Sequence, residues 1–342
     1  MIESQEVFIN FWWDALIMIV KAIVVFVLFL AAPLVFILAE RKVLGRMQSR
    51  IGPNRVGPWG LLQTLADGLK LATKEDFIPP VGDRVVFWLA PLFLVVPALM
   101  AWATVPIGPR VEIGRQFGLW VSDLNVGILY ILALSSTAVY GPVMAGWSSN
   151  SKYALFGSLR SSAQVISYEI IMGLAVLAVL MYTGSFSLVD IVEKQEHVWF
   201  AVPQVLAFLI FGISGVAETN RAPFDLPEAE TEIVAGYHVE YSGMRFAMFF
   251  IAEYANMFLF SALATILFLG GWQGWTIPGL EGISGVFWFF AKTLALMLLY
   301  FWLRATLPRL RYDQLMALCW KFLLPVAVLN LLVTSALRMV WG

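Results

Sequence analysis

Acidic residues crowd one stretch of this chain: Glu218, Asp225, Glu228, Glu230, Glu232 and Glu240, with Glu253 following inside the next apolar run. Glu228 and Glu232 stand four apart and would share a helix face, whereas in an extended loop Glu228, Glu230 and Glu232 would all point one way. Either arrangement brings like charges together. Repulsion and partial burial raise carboxylate pKa values, as a group needs if it is to take up and release protons near neutral pH. A solvated acidic loop is the competing reading. Glu169 and Glu253 weigh against it, because each interrupts an apolar run, where an unpaired charge is costly and normally faces a polar interior. Tyr168 and Tyr254 adjoin them and offer hydroxyls for a proton path. Lys21 and Lys292 also fall within apolar runs, Lys21 near an end from which it can snorkel.

Three polar segments carry the remaining chemistry: Glu40 to Pro58, Ala217 to Glu232, and Arg304 to Gln314. Each mixes turn-forming Gly or Pro with charges that pair if the loops fold against one another. Arg41, Arg50, Arg221 and Arg304 can bind headgroups, partner subunits or the acidic cluster; loop pairing or a protein interface is the simpler reading for most. Phe224, between Pro223 and Asp225, either stacks on the ring of a planar ligand or anchors the loop in lipid. Pro58 to Lys74 reads as an amphipathic helix, with Leu61, Leu65, Leu69 and Ala72 at helical spacing and Gln63, Asp67, Lys70 and Lys74 on another face. Such a helix lies on the membrane surface or packs under its neighbours.

The elements that must position these groups follow from composition. The chain has 342 residues, 60% hydrophobic and 13% charged, with a mean hydropathy of +0.81. An ordinary soluble domain carries about 25% charged residues, so most of this chain is solvated by lipid. Runs of about 20 apolar residues, enough to cross a bilayer, number about eight. They lie near Ala15–Ala39, Val85–Val105, Val126–Ala145, Ala163–Tyr182, Val202–Ala217, Met244–Leu269, Gly285–Trp302 and Phe322–Trp341, the fifth and seventh being weakest by length. The expected fold is all-α: one polytopic membrane domain over residues 1–342 with an added amphipathic helix. Basic residues gather in alternate loops, approximately 40–84, 146–162, 218–243 and 304–321, while the opposite side has only Arg110, Arg115, Lys194 and Arg338. The positive-inside rule then makes those loops cytoplasmic and puts both termini on the far side. The N-terminus from Met1 to Asp14 lacks the basic region of a cleaved signal, so the first span is expected to stay.

Composition also limits the chemistry. A net charge of -1 argues against a nucleic-acid partner. Cys319 alone cannot form an iron-sulfur or four-cysteine zinc site, and His197 and His238 are too few and too far apart for a bis-histidine haem. The chain is therefore expected to hold no redox centre.

At these residues the sequence resembles the H subunits of the proton-pumping NADH-quinone oxidoreductase, respiratory complex I, equivalent to mitochondrial NADH dehydrogenase subunit 1. The likeness is carried by Glu40–Lys70, Gly146–Glu169, Ala217–Tyr254 and Arg304–Lys321. Thr64 departs from the Pro that many members have after the Gln, and an amphipathic helix accommodates either. The resemblance implies an eight-helix subunit at the foot of the hydrophilic arm of a bacterial inner-membrane complex, less readily a mitochondrial one. Its cytoplasmic loops would complete a quinone chamber with peripheral-arm subunits, beside small membrane subunits and lipid. It implies quinone as substrate, no cofactor on this chain, and FMN and iron-sulfur clusters in the partners. Residue by residue, Glu40, Arg41, Arg50, Leu65, Asp67, Lys70, Arg221, Phe224, Asp225 and Arg304 would frame the quinone chamber and its entrance. Glu169, Glu218, Glu228, Glu230, Glu232, Glu240 and Glu253 would form the proton relay. A membrane anchor of a related hydrogenase-type complex and a stand-alone ion transporter are the competing functions.

Overall fold

The computed structural model describes residues 2–112, 116–226, 233–276 and 279–341. Arg115, Glu228, Glu230 and Glu232 lie outside the described residues. In lipid a backbone must satisfy its own hydrogen bonds, and the apolar runs do so as helices: α1 (Ile2–Met47), α3 (Arg84–Trp102), α4 (Gly127–Ala138), α5 (Tyr140–Ser148), α6 (Lys152–Thr183), α8 (Val205–Glu218), α9 (Gly243–Phe268), α10 (Glu281–Thr306) and α12 (Leu324–Trp341). The short helices α2 (Gln63–Thr73), α7 (Leu188–Glu193) and α11 (Tyr312–Ala317) connect them, and a π-helical turn at Leu318–Leu323 joins α11 to α12. Among the described residues seven segments are long and apolar enough to cross a membrane, counting α4 with α5 and α11 with α12 as one each.

Of the expected spans, the fifth is the exception. α8 has 14 residues, about 21 Å at 1.5 Å per residue and short of the roughly 30 Å hydrocarbon core. It starts only at Val205, after Pro203, and Gln204 before it is buried and tied across to α12: its amide donates to Thr334 Oγ1 at 2.9 Å and its carbonyl oxygen accepts from Asn330 at 3.1 Å. The seventh run is a full helix, α10. Hydropathy also missed how far helix extends into polar sequence. α1 continues through Glu40, Arg41, Lys42 and Arg46, α6 starts at Lys152 rather than Ala163, and only residues 307–311 separate α10 from α11. Most of the expected loops at 146–162 and 304–321 is therefore helix. The amphipathic helix is shorter than expected, α2 being preceded by a 3-10 turn at Pro58–Gly60. Thr64 sits buried in its first turn, where a Pro would also fit. An antiparallel pair, β1 (Arg110–Glu112) and β2 (Gln116–Gly118), was not foreseen. Lys21 reaches it, donating to the Gly118 carbonyl at 2.7 Å. Lys292 is held by the carbonyls of Leu269 and Gln273, both at 2.6 Å, and lies over the Trp199 ring.

Starts and stops follow local chemistry. Asp83 caps α3 by accepting from the Val85 and Val86 amides, and Gly184, left-handed at φ 64°, ends α6. The core is built on α9, with Phe258 stacked on Trp102 and tilted against Phe36. Small residues such as Ala252, Ala255, Ala262 and Thr265 let its neighbours approach. A close approach is made at Gly157 in α6, where an added Cβ would stand 2.5 Å from Gly236 Cα, backbone against backbone. Gly157→Val should lower the thermal stability of the assembled protein, overpacking costing about 1–3 kcal/mol. Gly173→Val, with nothing within 4 Å of the added carbon, should not. Equal melting temperatures for the two variants would refute the close approach.

Candidate functional site

Glu40, in the last turns of α1, is 2% exposed although it is a carboxylate. Three groups satisfy it. Tyr254 Oη donates to Oε2 at 2.7 Å, Arg221 Nη1 lies 3.4 Å from Oε1, and Arg304 donates to the same oxygen. Arg221 is itself 7% exposed. Its guanidinium lies 4.3 Å over the Tyr254 ring, and its Nε is 2.8 Å from a Glu253 oxygen, an ion pair by distance whose N–H is not aimed along it. Burial opposes the charge on Arg221, but Glu253, Tyr254 and Glu40 outweigh it and push its pKa above the usual arginine value. One buried cation thus bridges α1 and α9.

The loop that carries Arg221 is fixed from below. Gln164, fully buried in α6, donates to the carbonyls of Ala217 and Phe224, both at 2.7 Å. These bonds satisfy the last turn of α8 and the loop beyond it, so Glu218 and Arg221 are held in place. Asp225 is paired with Arg309 at 2.6 Å. Phe224 is buried against Tyr168, ring centroids 5.7 Å apart, and does not line the space around Glu40.

On one side of Arg221 a cleft with an empty volume of about 1390 Å³ runs between α1, α2 and α9, lined by Glu40, Arg41, Asp67, Lys70, Tyr254 and Arg304 together with apolar residues such as Phe250. Arg41 clasps Asp67 at 2.5 Å and so ties α1 to α2. Partial burial works to raise the Asp67 pKa, but hydrogen bonds from Arg41 and Gln63 and the Arg41 and Lys70 charges hold it below the usual carboxylate value. The polar face of α2 turns to the cleft, while Leu61, Leu65 and Leu69 are exposed on the other face. That is the disposition of a helix lying in a membrane interface, and it places Leu65 beside the cleft rather than in its wall. Arg50 is not in the wall either: it is exposed in the adjoining loop, its Nε donating to Gln48.

On the other side lies a second, small polar cavity, lined by Ser135, Glu218, Asn220, His238, Glu253 and Asn256. Glu218 Oε2, Asn220 Oδ1 and His238 Nε2 are buried without a protein hydrogen-bond partner among the described residues, so the walls can hold water. Burial pushes the His238 pKa down to about 3, and a ring of Tyr237, Phe246, Phe249 and Phe250 surrounds it. It is thus a neutral imidazole. Beyond the cavity, Glu169 accepts from the Ser135 hydroxyl at 3.3 Å and from Ser136. Tyr168 takes no part, its hydroxyl being committed to the Leu315 carbonyl at 3.1 Å. Glu240 is half-buried and lines neither cavity.

The structure therefore gathers Glu40, Arg41, Asp67, Lys70, Arg221 and Arg304 around one space, and Glu218 and Glu253 around another with Glu169 behind it. Sequence reasoning missed Gln164, Ser135, Ser136, Asn220 and His238. The signal for Gln164 was present, an amide isolated in an apolar run; nothing marked the serines until Glu169 was seen to need donors.

Residues 20–335 match the family model described as NADH dehydrogenase. The chain is 57% identical over 310 residues to the second of the numbered H subunits of NADH-quinone oxidoreductase in Geobacter sulfurreducens, covering 90% of this chain and 92% of that one. It is 54% identical over 329 residues to the first of those in Geobacter metallireducens, covering 95% and 98%. To the corresponding H chain of NADH-quinone oxidoreductase in Rhodospirillum centenum it is 53% identical over 298 residues, covering 87% and 86%. With matches of this length and identity on a polytopic helical fold, the chain belongs to the NADH dehydrogenase family, among the H subunits of NADH-quinone oxidoreductase.

Proposed function

We propose that this subunit forms part of the quinone chamber of a bacterial inner-membrane complex I and converts quinone reduction into proton movement. The observation that carries this reading is the contact between Arg221, in the wall of the cleft, and Glu253, in the wall of the polar cavity. FMN and iron-sulfur clusters belong to partner subunits, which deliver electrons to the quinone. The basic loops face the cytoplasm and both termini face the periplasm, consistent with the charge asymmetry of the sequence. The hydrogenase-anchor and transporter alternatives find no support in relatives of these names.

In this account a quinone enters beside α2, whose exposed Leu61, Leu65 and Leu69 rest in the interface. Its head reaches the Glu40 and Arg304 end of the cleft. Reduction builds negative charge on the head until protons arrive, and Arg221 is drawn toward that charge. Glu253 then loses its counter-ion in a low-dielectric setting, where the neutral carboxylic acid is the cheaper form. At an effective dielectric of about 20, a unit charge at about 4 Å is worth about 4 kcal/mol, enough to switch a carboxylate from charged to protonated. Glu253 takes its proton from the polar cavity, and Glu218 and Glu169 pass protons onward. Neutral His238 adds a hydrogen-bonding group without a competing positive charge.

Glu253→Gln keeps the shape of the side chain and removes proton exchange. Quinone-linked NADH oxidation in the assembled complex should fall about tenfold, a barrier change of about 1.4 kcal/mol. NADH oxidation with a hydrophilic artificial acceptor should be unchanged, and Glu253→Asp should be milder. Native quinone-linked activity and native proton pumping in Glu253→Gln would remove Glu253 from the route.

The entrance makes a separate prediction. Leu65→Glu or Leu69→Glu places a charge on the lipid-facing side of α2, at an expected cost of a few kcal/mol at depth and less at the interface. The KM for a long-tailed quinone should rise, while that for a short-tailed analogue and the artificial-acceptor rate hold steady. A rise for both quinones alike would mean that α2 does not border the entrance.

A further inference from the structure

A third cavity, of about 990 Å³, lies between α8 and α10 over a floor of α9, and neither the cleft nor the polar cavity includes it. Its walls are Phe208, Leu209 and Phe211 from α8, Ala264 from α9, and Leu296, Leu299 and Leu303 from α10, with Tyr300 and Ser261 as the polar contributions. The space is genuine on the α8 side, since a Cβ added at Gly212 would meet nothing within 4 Å. Pro223, Phe224 and Leu307 line its acidic-loop end.

Protein interiors pack to crystal-like density, so an apolar space of this size at the flank of a membrane bundle needs an occupant. Length decides which. Along α10 the lining runs from Leu296 to Leu307, about 16 Å at 1.5 Å per residue, half of the roughly 30 Å hydrocarbon core. Along α8 it runs from Phe208 to Val216, about 12 Å. A partner's spanning helix needs a groove through both leaflets, whereas a single acyl chain occupies one. Charge agrees. Just beyond Leu307 come Arg309, 35% exposed at the side chain, and Arg311, 70% exposed. Arg309 gives one nitrogen to Asp225 and Arg311 one to the exposed Asp313, leaving donors of each fork for an anionic group.

We infer that this cavity is a phospholipid site: one acyl chain lies between α8 and α10 in the leaflet on the acidic-loop side, and an anionic headgroup sits at Arg309 and Arg311. The part of the chain nearest the headgroup touches the wall that bears on function. Phe224 and Pro223 belong to the loop that carries Arg221 and Asp225, and the Tyr300 hydroxyl is 3.1 Å from where a Cβ of Gly215 would stand, one turn before Glu218. Occupancy by lipid therefore packs the loop from behind. The inference stands on the cavity and the membrane fold, independently of the proton route.

The test uses the complete complex in nanodiscs containing either phosphatidylglycerol or phosphatidylcholine, each with a diazirine at the end of one acyl chain. After photolysis, labelled peptides are mapped. Phosphatidylglycerol should label the 208–216 and 296–307 segments about tenfold more than the lipid-exposed 329–333 segment of α12, the factor given by about 1.4 kcal/mol of preference. Gly212→Phe should return that labelling to the α12 level, and Gly212→Leu carries the same test if the larger residue prevents assembly. Arg311→Gln should reduce phosphatidylglycerol labelling to that of phosphatidylcholine. Labelling no higher than on α12, or unchanged when the cavity is filled, would overturn the site. Stronger labelling there by a photoreactive isoprenoid quinone than by phospholipid would overturn the ligand assignment, as would crosslinks joining these segments to a neighbouring subunit.

Discussion

Arg221 is the constraint around which the rest of the site is arranged. A guanidinium that is 7% exposed is tolerable only with counter-charge and ring contacts on several sides, and it has Glu40, Glu253 and the Tyr254 face. Removing one partner of such a buried pair leaves an uncompensated charge, at a cost of about 3–5 kcal/mol. That penalty makes the group an effective transmitter. Anything that competes for Arg221 on the cleft side must change the balance on the Glu253 side, because the two carboxylates share one cation.

The supporting structure can be read as what is needed to keep Arg221 where it is. Gln164 holds the carbonyls on both sides of the loop, Phe224 is wedged against Tyr168, and Asp225 is locked by Arg309. The Gly157–Gly236 approach brings the segment with His238 down onto α6. At the opposite end of the acidic loop, Arg245 lies 3.1 Å from Asp76 and 3.9 Å above the Trp88 ring, which clamps the start of α9 to the chain that follows α2. A lipid chain behind Phe224, as inferred above, would stiffen the same wall.

How much of this was legible in the sequence depends on which physical signal a residue carries. Lipid imposes length and apolarity, so α3 and α9 could be read directly, and a Glu inside an apolar run marked Glu169 and Glu253 before any geometry was known. α8 starts only at Val205, after Pro203, and the bonds that tie Gln204 to α12 are tertiary ones that local pattern does not register. Helix in polar sequence, as at the ends of α1 and α6, is invisible to hydropathy. Glu40 read as a loop residue, and its role depends on Tyr254 and Arg304, which are 214 and 264 positions away. The packing of Phe224 against Tyr168 is a contact between distant segments that local sequence does not announce. The family resemblance supplied the assembly and the quinone; burial and pairing in the fold separate the cleft from the polar cavity.

The central claim is that Arg221 couples the charge state of the cleft to the protonation of Glu253. Infrared difference spectroscopy on the assembled complex, comparing the oxidised enzyme with the enzyme reduced in the presence of quinone, reads this directly in the carbonyl stretch of protonated carboxylic acids. The account predicts a band from a newly protonated buried carboxyl on reduction. That band should shift in deuterium oxide, vanish in Glu253→Gln, and be present already in the oxidised state of Arg221→Gln. A native band that persists unchanged in Glu253→Gln, or an Arg221→Gln spectrum identical to the native one, would contradict the coupling.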